Sequence, residues 1–301
     1  MTAYPQISLA ELPDSSQPQM DFPDTAWFKT HGRTRDFPTP ESLRSLFKPH
    51  QLPRPVRFED LGMIVKFGSH ISTTEAVNLW DIPRVFQDMI PVPEVYGWRV
   101  AKQEGNTDEV FIYMQLVQGP TLEEQWSKLC AGNKQMICKD IRAKSSCLRT
   151  LWDSESHQVI GSICHSPAPD RCLEDLPLLR PFPSRLVFHD WLSWLWRRNV
   201  PNPQSIEDYW RGLLPDNGPV VFTHGDVRPA NIIVTATSPT KIVAILDWEM
   251  AGWYPDYWEY CKARYTAAHD GEWRGFIDQF LEADELALEG FDFYTCTLGK
   301  F

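Results

Sequence analysis

In the stretch VVFTHGDVRPANIIV, residues 220–234, two apolar runs are interrupted by His224, Gly225, Asp226, Arg228, Pro229 and Asn231. An ordinary loop accounts for Gly, Pro, Asp and Asn, which all favour turns. A second string alters that reading: KIVAILDWE, residues 241–249, is another β-branched run, and it ends in Asp247. If NIIVTA and KIVAIL pair as a hairpin around the turn TSPT (237–240), Asp226 and Asn231 precede one strand and Asp247 follows the other, so all three fall at one end. Three converging oxygen-bearing side chains suit Mg²⁺, a hard cation that prefers carboxylate and carbonyl oxygens and shares its shell with substrate phosphates.

The elements that would carry these loops lie upstream and between them. VRFEDLGMIVKF (56–67) reads as two strands around a polar break at Glu59–Gly62, with Lys66 in the second strand and pointing away from the face of Val65 and Phe67. STTE (72–75) starts a helix, with Ser72 at the N-cap and Glu75 at N3 in the capping-box arrangement; Pro83 kinks or ends it. Segments 94–101 and 109–117 form a hairpin pair. Residues 121–215 read mostly helical: a periodic run through Leu148 and Leu151, an irregular Pro-containing stretch at 161–185, then RLVFHDWLSWLWRRN. The first fifty residues, rich in Pro, Ser and Asp, offer one short helix from N-cap Thr39 and Pro40 through Phe47, the rest of that arm being irregular. Strands first and helices later predict an α+β chain of two lobes, with an extension at 1–50, a small β-rich lobe at 51–118 and a larger, mostly helical lobe at 119–301.

Composition narrows the class of partner. Lys and Arg number 29 against 40 Asp and Glu, a net charge of −11, which argues against a nucleic-acid binder that neutralises phosphates and would suit a small cationic partner. No stretch of eighteen apolar residues or signal-like start occurs, and seven cysteines without a C-x-x-C pair suggest neither disulfides nor zinc, so a cytoplasmic protein without a membrane segment is expected.

HGDVRPAN (224–231) and ILDWE (245–249) resemble the catalytic loop H-G-D-x-x-x-x-N and the metal-binding loop of the aminoglycoside phosphotransferase family, in the protein-kinase-like superfamily. The strings IVKFG, IPVPEVYG and DWEMAGWYPDYWEY are similar to those of its fungal members, and the resemblance spans roughly residues 56–265. It implies a protein-kinase-like two-lobed fold and the cofactors ATP and Mg²⁺. Asp226 would be the catalytic base, Asn231 and Asp247 the metal ligands, and Lys66 the contact to the α and β phosphates. Met114 and Leu116 would border the nucleotide. Arg228 would stabilise charge on the transferring group or form a surface ion pair, and His224 would support the loop's backbone. Glu75 would orient Lys66, a reading preferred over the capping box that its place at N3 also allows; Glu249 is either a second metal ligand or a cap.

The acceptor implied is a hydroxyl of a small molecule, a cationic one if Glu123, Glu124, Glu207 and Asp208 do more than solvate a surface. Trp191, Trp194 and Trp196 are core residues or line its pocket. Two departures keep a non-catalytic, pseudokinase-like reading open. No G-x-G-x-x-G precedes Lys66, only Gly62, and GWYPDYWEY lacks the G-D-P-x-x-D-L-A ending of bacterial members, whose aspartate has no evident counterpart.

Overall fold

The computed structural model describes residues 5–32, 36–48, 51–102, 107–153, 158–174, 176–177 and 180–299. The turn of the expected 94–117 hairpin (at 103–106), parts of the Pro-containing stretch (175, 178–179) and residues 49–50 before Lys66 lie outside them.

Alternating apolar residues build the first lobe. Its elements in chain order are β1 (Gln6–Ile7), β2 (Gln19–Asp21), α1 (Ala26–His31), α2 (Pro40–Arg44), β3 (Val56–Phe58), β4 (Met63–Gly68), α3 (Thr73–Phe86), β5 (Val95–Ala101) and β6 (Glu109–Gln115). Five of these strands form an antiparallel sheet in the order β2-β5-β6-β4-β3. Period-two alternation sends Met63, Val65 and Phe67 of β4 to an aromatic cluster with Trp27, Phe28 and Phe37. Ile64 and Lys66 therefore face the other side, toward α3. The arm is thus more than one short helix: it adds an edge strand, and its aromatics cover a sheet face, Phe37 stacking on Tyr113 at 4.4 Å.

Helix α2 starts as expected, with the Thr39 hydroxyl accepting from the Ser42 N–H, but ends at Arg44 rather than Phe47. The Ser42 and Ser45 hydroxyls bond back to main-chain carbonyls, and the chain continues in tighter turns that reach Phe47. Pro83 sits inside α3, which runs three residues past it.

The second lobe continues with α4 (Leu122–Trp126), α5 (Ala131–Leu148), β7 (Trp152–Asp153), β8 (Gly161–Ser162), α6 (Arg185–Arg197), β9 (Val220–Thr223), β10 (Ile232–Val234), β11 (Ile242–Ile245), β12 (Gly252–Pro255), α7 (Trp258–Thr266) and α8 (Glu285–Thr297). The region 121–215 is less helical than its periodicity suggests: outside α4, α5 and α6 its described residues are mostly irregular chain, with two short strands and three 3-10 turns. β10 and β11 form the expected hairpin, whereas β9 pairs with β12, an element the sequence reading missed. Trp191 packs on Phe182 and Phe188, the Trp196 indole donates to Asp208, and Trp194 is exposed. Among the described residues, no helix is long and apolar enough to cross a membrane.

Candidate active site

The loop after β9 is held through its backbone amides. Gly225 takes φ = 79°, and a Cβ there would lie 2.7 Å from the Met250 carbonyl oxygen, so only glycine fits. The N–H groups of His224 and Gly225 donate to the Glu259 carboxylate at 2.7 and 3.0 Å. His224 Nδ1 accepts the Asp226 N–H at 3.2 Å, so Nε2 carries the proton and donates to the Leu246 carbonyl at 2.9 Å. Burial lowers the His224 pKa, against the pull of Asp226, and the ring stays neutral: it is a brace for the loop.

Asp226 is 2% exposed. The Asn231 side-chain amide donates to its Oδ2 at 2.7 Å and to its main-chain carbonyl at 3.1 Å, while Arg228 Nε approaches the same Oδ2 at 3.0 Å. The Leu246 N–H donates to the Asn231 carbonyl at 2.7 Å, which brings Asp247 to the end of the hairpin that carries Asn231. The convergence expected from spacing is present.

Lys66 Nζ meets three carboxylates: Glu75 Oε1 at 3.0 Å, Asp247 Oδ1 at 2.5 Å and Glu249 Oε2 at 2.8 Å. Glu75 closes no capping box. Ser72 Oγ accepts from the Thr74 N–H, at N2, and the Glu75 carboxylate turns to Lys66, both of its oxygens lying within 3.0 Å of Nζ. Burial raises the Glu75 pKa to about 7, with Lys66 opposing. Burial also resists ionisation of Asp247, but Lys66 outweighs it and holds that carboxyl below its ordinary range. Asp247 itself adopts φ = 65°, a left-handed conformation that a short polar side chain tolerates. Oxygens of Glu75, Asp247 and Glu249 lie within 4.8 Å of one another, a hard-ligand set compatible with Mg²⁺.

A cavity of about 240 Å³ between the lobes is lined by all the residues expected to hold nucleotide or metal: Lys66, Glu75, Met114, Leu116, Asn231 and Asp247. Ile64 and Leu79 on one side and Ile233 and Leu246 on the other give it apolar walls suited to a flat ring. Asp226 and Arg228 line a second cavity of about 380 Å³ with Met250, Lys262 and Tyr265. No strand lies beyond β3 at this edge of the sheet, so among the described residues no glycine-rich hairpin covers Lys66. Gly62 instead makes the β3–β4 turn at φ = 57°, and its carbonyl accepts the Leu116 N–H.

Neither acidic pair lines these two cavities. Glu124 and Thr121 close a capping box at the start of α4, and Asp208 accepts from Ser193, Trp196 and Tyr294. Sequence reasoning missed two residues here. Glu259, within the string GWYPDYWEY, anchors the loop by accepting from the His224 and Gly225 N–H groups. Arg171, from the Pro-rich stretch, pairs with Glu249 and carried no signal of its own.

The model of the family described as phosphotransferase enzyme family matches residues 83–294, a span that begins after Lys66 and Glu75. No curated protein matches the chain. Among solved structures, the chain is similar to aminoglycoside phosphotransferase APH(3'')-Id from Streptomyces rimosus in complex with ADP and streptomycin, at 16% identity and TM-score 0.44, over 82% of this chain and 92% of that one. It is also similar to a thermostable mutant of aminoglycoside phosphotransferase APH(4)-Ia with ADP and hygromycin B (14%, TM-score 0.43, 79% and 84%). A third is a microcompartment-associated aminopropanol kinase (14%, TM-score 0.42, 79% and 76%).

Proposed function

The chain belongs to the phosphotransferase enzyme family, and from that premise we propose that it transfers the terminal phosphoryl group of ATP to a hydroxyl of a small molecule. One observation carries the reading. Asn231 lines the first cavity and donates a 2.7 Å hydrogen bond to Asp226, which lines the second, so donor and acceptor sides are one hydrogen bond apart.

In this reading Lys66, oriented by Glu75, holds the α and β phosphates, and Met114 and Leu116 border the base. Mg²⁺, for which Asn231 and Asp247 are the proposed ligands and Glu249 a further one, would neutralise phosphate charge. Asp226 accepts the hydroxyl proton as the acceptor oxygen bonds to phosphorus; the bond to the bridging oxygen breaks, and ADP leaves with that electron pair. Arg228 disperses charge on the transferring group. The net charge of −11 favours a cationic acceptor, the free cysteines fit a reducing cytoplasm, and the strings IVKFG and IPVPEVYG support a place near the family's fungal members.

Calorimetry should find ATP binding dependent on Mg²⁺, and a panel of hydroxyl compounds, amines first, should reveal turnover. Asp226→Asn should keep nucleotide binding and lose roughly a hundredfold to ten-thousandfold in turnover. Absence of metal-dependent nucleotide binding would sink the proposal. A second reading, a non-catalytic nucleotide-binding scaffold, is favoured by the lack, among the described residues, of a glycine-rich hairpin over Lys66 and by the ion pairs of Lys66 with Asp247 and Glu249. Nucleotide binding with equally negligible turnover in wild type and Asp226→Asn would select it.

A further inference from the structure

We propose that Arg171 is a ligand of the terminal phosphate, supplying from the second lobe positive charge that a glycine-rich hairpin would otherwise supply as backbone amides. The inference rests on the phosphotransferase reading and adds to it a residue outside the family's motifs.

The loop that presents Arg171 is rigidly built. Asp170, 3% exposed, accepts from the Cys172 N–H at 2.8 Å, from Lys262 Nζ at 2.8 Å and from the Trp258 indole at 2.9 Å. Lys262 and Trp258 both belong to α7, so the loop is fastened to that helix and the next residue has a fixed base. From there the Arg171 guanidinium reaches Glu249 Oε1, while the other Glu249 oxygen lies 2.8 Å from Lys66 Nζ. Arg171 also lines the cavity that contains Asp226 and Arg228. It is not a wall of the first cavity, but the Glu249 carboxylate links it to Lys66, which is, so Arg171 stands on the Asp226 side one carboxylate away from the proposed phosphate contact.

Charge and exposure decide between a clamp for Glu249 and a phosphate ligand. The Arg171 side chain is 55% exposed and its guanidinium carries five donors, more than one carboxylate oxygen can use. An incoming terminal phosphate adds negative charge beside Asp226, Asp247 and Glu249, with Lys66 already shared among three carboxylates. A planar fork beside that position pairs with phosphate oxygens two at a time.

The test is calorimetry on the full chain with Mg²⁺, using AMP-PNP and ADP as probes. Arg171→Met should weaken AMP-PNP binding by about tenfold to a hundredfold, the range for hydrogen bonds to charged groups, and leave ADP within about twofold. Arg171→Lys should recover part of the loss, and if the Met variant fails to fold, the Lys variant should still lose affinity for AMP-PNP alone. Equal losses for both probes, or none, overturn the inference while leaving the phosphotransferase reading in place. Recovery of AMP-PNP affinity in Arg171→Met/Glu249→Gln also overturns it, because Arg171 would then serve only to neutralise Glu249. Wild-type protein that binds neither probe overturns both.

Discussion

One ammonium faces three carboxylates at Lys66, and the pH dependence of turnover follows from which of them loses its charge first. Asp247 is held ionised by Lys66 despite burial, whereas Glu75, 1% exposed, is pushed by burial to about 7 against the opposing pull of Lys66. Because its folded pKa lies above the ordinary range, the Glu75 contribution to stability is present at low pH and lost as pH rises through about 7. Activity runs the other way, since only the carboxylate can orient Lys66. Turnover should fall as pH drops through about 7, and Glu75→Gln should be slower and flat across that window, as a profile of kcat/KM would show. Burial also pushes Glu259 to about 7. An acid limb that survives in Glu75→Gln and disappears in Glu259→Gln would move the assignment to the loop anchor. Lys66, Glu75, Asp226, Asn231 and Asp247 were legible because each sits in a short string whose spacing carries meaning. Glu259 and Arg171 were not, because their partners lie 35 and 78 positions away and neither is marked by local composition.

Helix starts show how far local chemistry reaches. Ser72 and Glu75 have the residue types of a capping box, yet the partly buried Lys66 ammonium outcompetes the Ser72 N–H for the carboxylate. Thr121 and Glu124 have no such competitor and close the box, at 3.2 and 2.9 Å. Thr121→Ala should therefore lower stability by about 1 kcal/mol in denaturant unfolding, and Glu124→Gln should be nearly silent, since an amide can return the same bond. A silent Thr121→Ala would remove that account. The loop that carries Asp226 is less forgiving. Gly225→Ala combines a left-handed backbone with a methyl driven toward the Met250 carbonyl, and strain of this kind costs about 1–3 kcal/mol before any contact is relieved. Near-wild-type melting and nucleotide affinity in that variant would show that the loop has slack. The β10–β11 hairpin was readable from alternation and its turn. The pairing of β9 with β12 was not, because it is non-local and β12 is an aromatic string followed directly by a helix.

At the scale of the whole molecule, the order of strands and helices was enough to give two lobes, but not the tie between them. β1 pairs in parallel with β7 in the second lobe, β2 extends the sheet of the first, and the chain between them runs along α3, where the Thr73 hydroxyl donates to the Ser15 carbonyl. Ile7, Val77 and Ile82 of α3, and Leu148 and Leu151 near the end of α5, share one core cluster with Phe222 and Trp253. Two-residue strands have no periodicity to detect, so nothing in the composition of a Pro- and Ser-rich arm announced this role. The consequence is mechanical. α3 carries Glu75, and whatever fixes α3 fixes the Lys66 ion pair, so the arm holds the Lys66 side of the cleft from behind. Removing residues 1–18 should keep the β2 strand yet free α3, lowering the melting temperature, increasing hydrogen exchange along Thr73–Phe86 and reducing turnover. Ile7→Ala, a smaller lesion at a 3% exposed site, should cost roughly 2–5 kcal/mol if the hook is well packed. A shortened chain with wild-type melting and full protection of α3 would mean that the sheet alone positions Glu75, and that the arm rests on the lobes without joining them.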